Sequence, residues 1–471
     1  MYCKMLKMLM IVLAVSMPLK AAEMLALPQA IQMALQHRTE MKSAKLSSER
    51  AILGLSINES QLGWQANVSS GWKHGLDMFG QPTEQQRLSA GLKKQQHSGN
   101  QISIQGSYQK DESDITGASL FPNPMESYGV NLDYRLPLQK GKDNPAYSYS
   151  EAQAKMAIAV SSAEQRATAD RIGEQLITIY HRLLDLQIQT DENHHAIERT
   201  RKLTVFIKKN SRLGMAEEKD LLSVQARMAA QRADEKRLQR EWTSQFSELQ
   251  NMVGSIHKSV RLKDYHNSAA IPVTLAEVLT QVIKRDAIIE INKEKLAITE
   301  SLLQLNRDSQ KNQLDLVLSV GNETRQGQRA GGVLDKNEWV GGLRLEYQLP
   351  LDRRGMDART RQSLIEIDQI RIDNRRYEAD LKSLLHQWYQ EWQIGVETIQ
   401  QYQRLKTIEN LKYKEVKNRY LQGRTNIREM LEAEESLSTA ERLLASEKAR
   451  RSLVLALLSN RLGNFKVSDR K

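Results

Sequence analysis

Cysteine is almost absent from this 471-residue chain: the only one is Cys3, so everything after the first residues can form neither a disulfide nor a thiolate metal site. Aromatic residues make up only 5%, too few for a thick globular core of this length. Downstream of the first residues no run of about 18 apolar residues occurs, which excludes a membrane-spanning helix there. Any membrane crossing is then left to β-strands, the other element whose backbone can be satisfied in lipid. Phosphate loops, nucleophile elbows and Cys-His sets are also missing, and His194-His195 has no third ligand at helical spacing. The expectation is no catalytic residue, no metal and no cofactor.

What is present is charge and helix-forming residues. Charged side chains make up 27%, spread through long stretches rich in Ala, Leu, Glu, Gln, Lys and Arg, the composition of extended helices packed side by side. The net charge of +11 invites a nucleic-acid reading. Its basic clusters (Arg199, Arg201 and Lys202; Arg371, Arg375 and Arg376; Lys448, Arg450 and Arg451) are interleaved with acids and lack a stacking platform of aromatics. They read as solvated helix faces, and no nucleic-acid partner is expected.

Lys4 and Lys7 precede an apolar stretch from Met8 to Leu19, which is too short to span a bilayer and has the make-up of an export signal. Residues 1–22 are read as a signal peptide.

The remainder is written twice. Leu27, Ala30, Ile31, Ala34 and Leu35 recur in spacing as Leu275, Val278, Leu279, Val282 and Ile283. Leu132-Asp133-Tyr134-Arg135-Leu136-Pro137-Leu138 returns as Leu345-Glu346-Tyr347-Gln348-Leu349-Pro350-Leu351. Leu213-Gly214 and Gln422-Gly423 each precede a helix that closes on Gly254 or Gly463. The first copy divides into a short helix (23–63), strands with an extra hairpin (64–138) and a helical hairpin (139–256). The second divides into a linker and short helix (257–311), strands (312–351) and a helical hairpin (352–463), before a tail (464–471).

Within the hairpins the apolar spacing alternates by four and three, as in a coiled-coil seam. Examples are Ile172, Leu176, Ile179, Leu183 and Leu186; Tyr377, Leu381, Leu384 and Trp388; Leu222, Ala226, Ala229 and Ala233; and Ala433, Leu437 and Ala440. In the strands the period falls to two: Leu343, Leu345, Tyr347 and Leu349 alternate with Arg344, Glu346 and Gln348. That alternation suits a barrel with lipid outside and water inside, and equally a soluble sheet. A soluble sheet needs a covering layer, and no residues remain to build one.

The duplicated plan, the Tyr-x-Leu-Pro-Leu strand ends and the glycine-centred helical turns together resemble the TolC family of outer-membrane efflux proteins, over nearly the whole chain after the signal. The resemblance implies a mainly α fold with a membrane β-barrel: a long antiparallel coiled-coil tunnel through the periplasm, and strands that complete one barrel in a homotrimer. It implies a channel subunit in the outer membrane that works with a periplasmic adaptor and an inner-membrane pump.

By the family's pattern, the periplasmic gate falls on Asp220, Tyr420, Arg424, Glu429 and Glu432, and the helical tips that meet the adaptor on Leu213, Gly214 and Gly423. Two departures stand out: glutamate at 429 and 432 where the family usually has aspartate, and Thr425 where it has arginine, with Arg424 or Arg428 as the replacement. Glu429 and Glu432 share a helix face, so threefold symmetry would make a cation-favouring ring of them. The rival reading is a soluble periplasmic coiled-coil adaptor or scaffold. The sequence does not name the cargo.

Overall fold

A computed structural model describes residues 24–76, 80–113, 122–212, 217–257, 260–264 and 274–465. The expected signal peptide and the tip residues Leu213 and Gly214 lie outside these. The chain forms two compact units, one made of Met1–Ala44, Gln165–Ala287 and Tyr377–Lys471, the other of Lys45–Glu164 and Ile288–Arg376.

The order of elements repeats. The first copy runs α1 (Leu27–His37), α2 (Thr39–Ser60), strands β2 (Gln65–Leu76), β3 (Pro82–Gln95), β4 (Gln101–Ser113) and β5 (Met125–Pro137), then α3 (Pro145–Arg212) and α4 (Glu218–Val253). The second runs α5 (Leu275–Arg285), α6 (Ala287–Ser309), β7 (Gln313–Arg329), β8 (Gly332–Gln348), α7 (Arg354–Leu421) and α8 (Ile427–Leu462). Two short strands, β1 (Met24–Leu25) and β6 (Arg261–Leu262), pair in parallel.

The two copies match in length as well as order. The helices α3 and α7 have 68 residues each, and α4 and α8 have 36 each. At 1.5 Å per residue each long helix measures ~100 Å. Among the described residues no helix is long and apolar enough to cross a membrane.

Each expected short helix is in fact two. Arg38 and Asp286 adopt extended backbone angles, separating α1 from α2 and α5 from α6. At the second break the buried Asp286 accepts a hydrogen bond from the Tyr377 hydroxyl at 3.0 Å, with the Arg461 guanidinium 3.7 Å away. Burial, then the negative charge of Asp286, pushes the Tyr377 pKa up to about 12. The local ladder is exchanged there for side-chain partners that only the tertiary structure supplies. At the far ends, α4 closes on Gly254 (φ +89°) and α8 on Gly463 (φ +80°). Positive φ of this kind is cheap for glycine.

The principal core of the first unit packs α1 (Leu27, Ala30, Ile31, Ala34) against α3 (Ile172, Leu176, Tyr180, Leu183) and the end of α4 (Phe246, Leu249, Val253). Tyr180 is fully buried. Its hydroxyl lies 2.7 Å from the Leu25 carbonyl oxygen and 2.6 Å from that of Lys263, which share its one hydrogen, and it accepts from the Lys263 N–H at 3.0 Å, fastening both short strands to α3.

The seams differ from expectation in which face they bury. On α8, Ala433, Leu437 and Ala440 are buried as expected. On α7 the buried line is Leu381, Leu385 and Tyr389, with Leu384 and Trp388 beside it half-buried. On α4 the expected stripe faces outward: Leu222 is 58% exposed, and Ala226, Ala229 and Ala233 are exposed too, while Val224, Gln231 and Leu238 face in. Spacing identifies a stripe but not its partner, and among the described residues this one has none.

In the second unit the strands form one six-stranded antiparallel sheet in the order β2-β3-β4-β5-β7-β8. The extra hairpin of the first copy, β3 with β4, lies within this sheet and is not a separate flap.

Candidate channel wall and gate

The register turns the period-two pattern into two faces of opposite character. Residues directly opposite one another share a face, and successive residues alternate. One row reads Ala66, Leu92, Ile104, Leu132, Val320 and Gly341 across all six strands. The same face continues through Tyr134, Leu318 and Leu343, then Leu136, Leu316 and Leu345. Among the described residues nothing covers it: Leu343 is 75% exposed and Trp339 79%. The opposite face carries Ser69, Ser89, Ser107, Gly129, Glu323 and Glu338 in one row, and Arg135, Val317 and Arg344 in another. On that face Arg135 reaches both Asp315 and Glu346 at 2.9 Å, and Glu346 also pairs with Arg344 at 2.8 Å.

Aromatic residues bracket the apolar face. Tyr108, Tyr128, Trp72 and Trp339 stand towards one end, and Tyr134 and Tyr347 towards the other. Along β8, Trp339 and Tyr347 are separated by ~27 Å at 3.4 Å per residue. Tilting the strand lowers that height somewhat, close to the ~25 Å apolar band of a membrane barrel. The strands β2 and β8 are the open edges of this sheet.

At the other candidate site, α7 turns into α8. Gly423 adopts φ +69° and donates to the Tyr420 carbonyl oxygen at 3.0 Å, and Arg424 N–H donates to that of Arg419 at 2.9 Å. The Asn426 side chain then caps α8 by accepting from the Glu429 N–H at 3.0 Å. Beneath the turn, Ile207, Val224, Tyr413, Ile427, Met430, Ala433 and Leu437 form an apolar cluster joining α3 and α4 to α7 and α8.

The expected gate residues take up different environments around this cluster. Tyr420 is half-buried, its ring edge-on to Phe206 at 6.2 Å. Burial, and secondarily the charge of Asp220, raises its pKa. Asp220 is therefore close, yet among the described residues no hydrogen bond joins the two. Glu429 accepts from the Thr425 hydroxyl, and Glu432 pairs with Arg428 at 3.0 Å, both on the exposed side of α8. Arg424 is exposed and makes no ion pair among the described residues. The arginine that meets Glu432 is thus Arg428. Because Tyr420 has no hydrogen bond to lose, Tyr420→Phe is expected to leave channel closure within about twofold of the parent, less than the factor of ten that ~1.4 kcal/mol would give. Planar-bilayer conductance would measure it.

Glu434 was legible only as part of an acidic patch, and it is the buried charge of this region. Its carboxylate is 2% exposed and lies 3.4 Å from Arg199 and 3.3 Å from Arg227. The one signal in the sequence was its place beside Ala433 on the seam.

Two groupings bear on the enzyme question. His194 is an exposed partner of Glu235 at 3.7 Å, and among the described residues no cluster of His, Cys, Asp and Glu could hold a metal ion. His181, Ser452 and Asp264 do form a buried chain, with the imidazole Nε2 3.1 Å from Ser452 Oγ, which donates to Asp264 at 2.9 Å. His181 Nδ1 donates to the Ile177 carbonyl oxygen at 2.9 Å, so its Nε2 and the Asp264 carboxylate both face the one hydroxyl hydrogen of Ser452, and burial lowers the His181 pKa.

The chain superposes on CusC, whose structures concern transmembrane channel formation, with a TM-score of 0.68 at 15% identity, covering 93% of this chain and 92% of that one. It matches the outer-membrane channel OprN with a TM-score of 0.68 at 14% identity, covering 93% and 89%. It matches the outer membrane protein VceC of Vibrio cholerae with a TM-score of 0.62 at 16% identity, covering 93% and 96%. No family model matches the sequence, and no curated protein matches it either. The chain has the fold of the TolC-type outer-membrane channels.

Proposed function

We propose that this chain is the subunit of a trimeric outer-membrane efflux channel, a passive exit duct that spans the periplasm and docks onto a periplasmic adaptor and an inner-membrane pump. The observation that carries the reading is the uncovered apolar face of a six-stranded sheet whose two edges are open. In lipid an unpaired strand edge is prohibitively costly, and about eight strands are needed merely to surround packed side chains. One chain therefore cannot complete a barrel. Several copies, pairing β8 of each with β2 of the next, can. The outward stripe of α4 and the exposed Ile394, Ile408 and Leu411 of α7 would find partners in the same assembly.

In this reading residues 1–22 are an export signal and the barrel is filled with water. Asp220, Tyr420, Arg424, Glu429 and Glu432 surround the periplasmic opening. Leu213, Gly214 and Gly423 mark the tips presented to the adaptor. The chemistry needs no cofactor. The soluble-scaffold alternative shares the helices but gives the sheet nothing to face.

Light scattering in detergent tests the proposal. The expected mass is three chains, and the protein should precipitate once detergent is withdrawn. A well-folded monomer that stays in solution without detergent would end it.

A further inference from the structure

We propose that the cleft between α3 and α4, beside β6, is a saccharide-binding site that takes a short stretch of glycan. The cleft lies within one unit of one chain, so it needs no trimer; only the choice among glycans met in the periplasm rests on the channel reading above.

Two helix faces and a strand build it. On α3, Gln187, Thr190, Asp191 and His194 fall at i, i+3, i+4 and i+7, one side of the helix. On α4, Glu235, Gln239 and Trp242 step by four and three, and Val260 and Arg261 close the group from β6. The volume is about 490 Å³, within the span of ligand sites. The apolar seam of α3, which runs through Leu183 and Leu186, would continue at 190 and 193, where Thr190 and Asn193 stand. That helix therefore offers the cleft no apolar side chain. Glu235, Gln239 and Trp242 also lie on the other side of α4 from the outward stripe of Leu222, Ala226, Ala229 and Ala233, so partners for that stripe would not fill the space.

The side chains of the cleft are held in place before any ligand arrives. Arg261 grips both oxygens of Asp191, at 2.7 and 2.8 Å. The Gln187 amide accepts from the Leu262 N–H at 2.9 Å and donates to its carbonyl oxygen at 3.3 Å. Trp242 is half-buried and stacks on Phe246, ring centroids 6.0 Å apart. His194 lies 3.7 Å from Glu235, and Lys236 donates to Gln239 at 3.1 Å. Asp191 and Glu235 balance Arg261 and Lys236, so no net charge is left to select an ion. The cleft instead sets an indole beside unused donors and acceptors. Among the described residues the second Glu235 oxygen, His194 Nε2 and the Gln239 amide hydrogens make no hydrogen bond. A sugar ring has the matching form: its C–H faces pack on an aromatic ring, and each hydroxyl at its rim both donates and accepts. A lipid chain would leave the polar groups unpaired, and a phosphate would meet two carboxylates. His194, Lys236, Gln239 and Arg261 are exposed, so the cleft is open enough to admit a ring within a longer chain.

Titration calorimetry on the full chain in detergent tests the site with two probes. Chitotetraose is a chain of N-acetylated amino sugars, like the glycan of the periplasmic wall; maltotetraose is a chain of plain glucose. Saturable binding of at least one is expected. Trp242→Ala should weaken it at least about tenfold, and Gln239→Ala a few-fold, the latter with the parent's melting temperature. Preference for chitotetraose assigns the site to the wall polymer, and preference for maltotetraose to an exported polysaccharide. If Trp242→Ala does not fold, Gln239→Ala and Glu235→Gln decide. Folded protein that binds neither sugar, or binding that none of these variants weakens, overturns the site. Light scattering on the same sample keeps the two readings apart: a trimer that binds no glycan ends the saccharide site alone, and a monomer that binds glycan ends the channel reading alone.

Discussion

Leu343→Arg is expected to abolish insertion of the assembled barrel, the largest effect among the strand positions. Leu343 stands 75% exposed on the apolar face of β8, midway between Trp339 and Tyr347. At the midplane of a bilayer an arginine on the lipid face costs ~2–4 kcal/mol, falling to about 0–1 near the interface. In the proposed trimer the cost is incurred three times, once in each subunit. Leu345→Arg, one step closer to the Tyr347 girdle, should do less, and Tyr347→Arg least, since its long side chain can reach the headgroups. Across the strand, Arg344 faces the polar side, and Arg344→Gln removes only an exposed pair with Glu346, worth up to about 1 kcal/mol. The fraction of protein refolded into lipid vesicles, measured across the series, should follow depth on one face and stay flat on the other. Equal tolerance on both faces would mean that the sheet never meets lipid.

The two faces are legible in the sequence, because strand periodicity is a local property. Residues two apart share a face whatever else the chain does, so Leu343, Leu345 and Tyr347 could be assigned together. The duplication was legible for a similar reason, as repeated spacing at separated places in the same order. What stayed hidden depends on partners distant in sequence. The α4 stripe of Leu222, Ala226, Ala229 and Ala233 has the right spacing for a seam, yet Val224, Gln231 and Leu238 are the residues that face in. Asp286 looked like any residue within a helix until Tyr377 and Arg461 arrived beside it. Glu434 and Arg199 each read as solvated charge, and only the fold brings them together inside. Charges that neutralise one another across more than two hundred residues leave no local trace.

The second large effect is expected in the helical unit, at Tyr180. Its ring fills the centre of the core between α1, α3 and α4, and its hydroxyl bridges Leu25 on one short strand to Lys263 just after the other. Those segments are only two residues long each, and the Lys263 N–H also donates to the Leu25 carbonyl oxygen at 3.1 Å. Tyr180→Ala should leave a large cavity, a loss of about 3–5 kcal/mol from truncation of the ring. Tyr180→Phe keeps the packing and removes only the bridge, so about 0.5–1.5 kcal/mol is expected, because Leu25 and Lys263 keep their own backbone bond. Burial already raises the hydroxyl's pKa, so it stays protonated and the bridge persists through the physiological pH range. Helical melting followed by circular dichroism should rank the parent above Tyr180→Phe and that above Tyr180→Ala. Tyr347→Ala is the contrast. Its ring is exposed on the sheet, and its hydroxyl accepts only from Asn312 at 2.9 Å. The helical transition should hardly notice its loss. If Tyr180→Ala melts with the parent, the strands β1 and β6 are held by something other than this tyrosine, and the core does not depend on its ring.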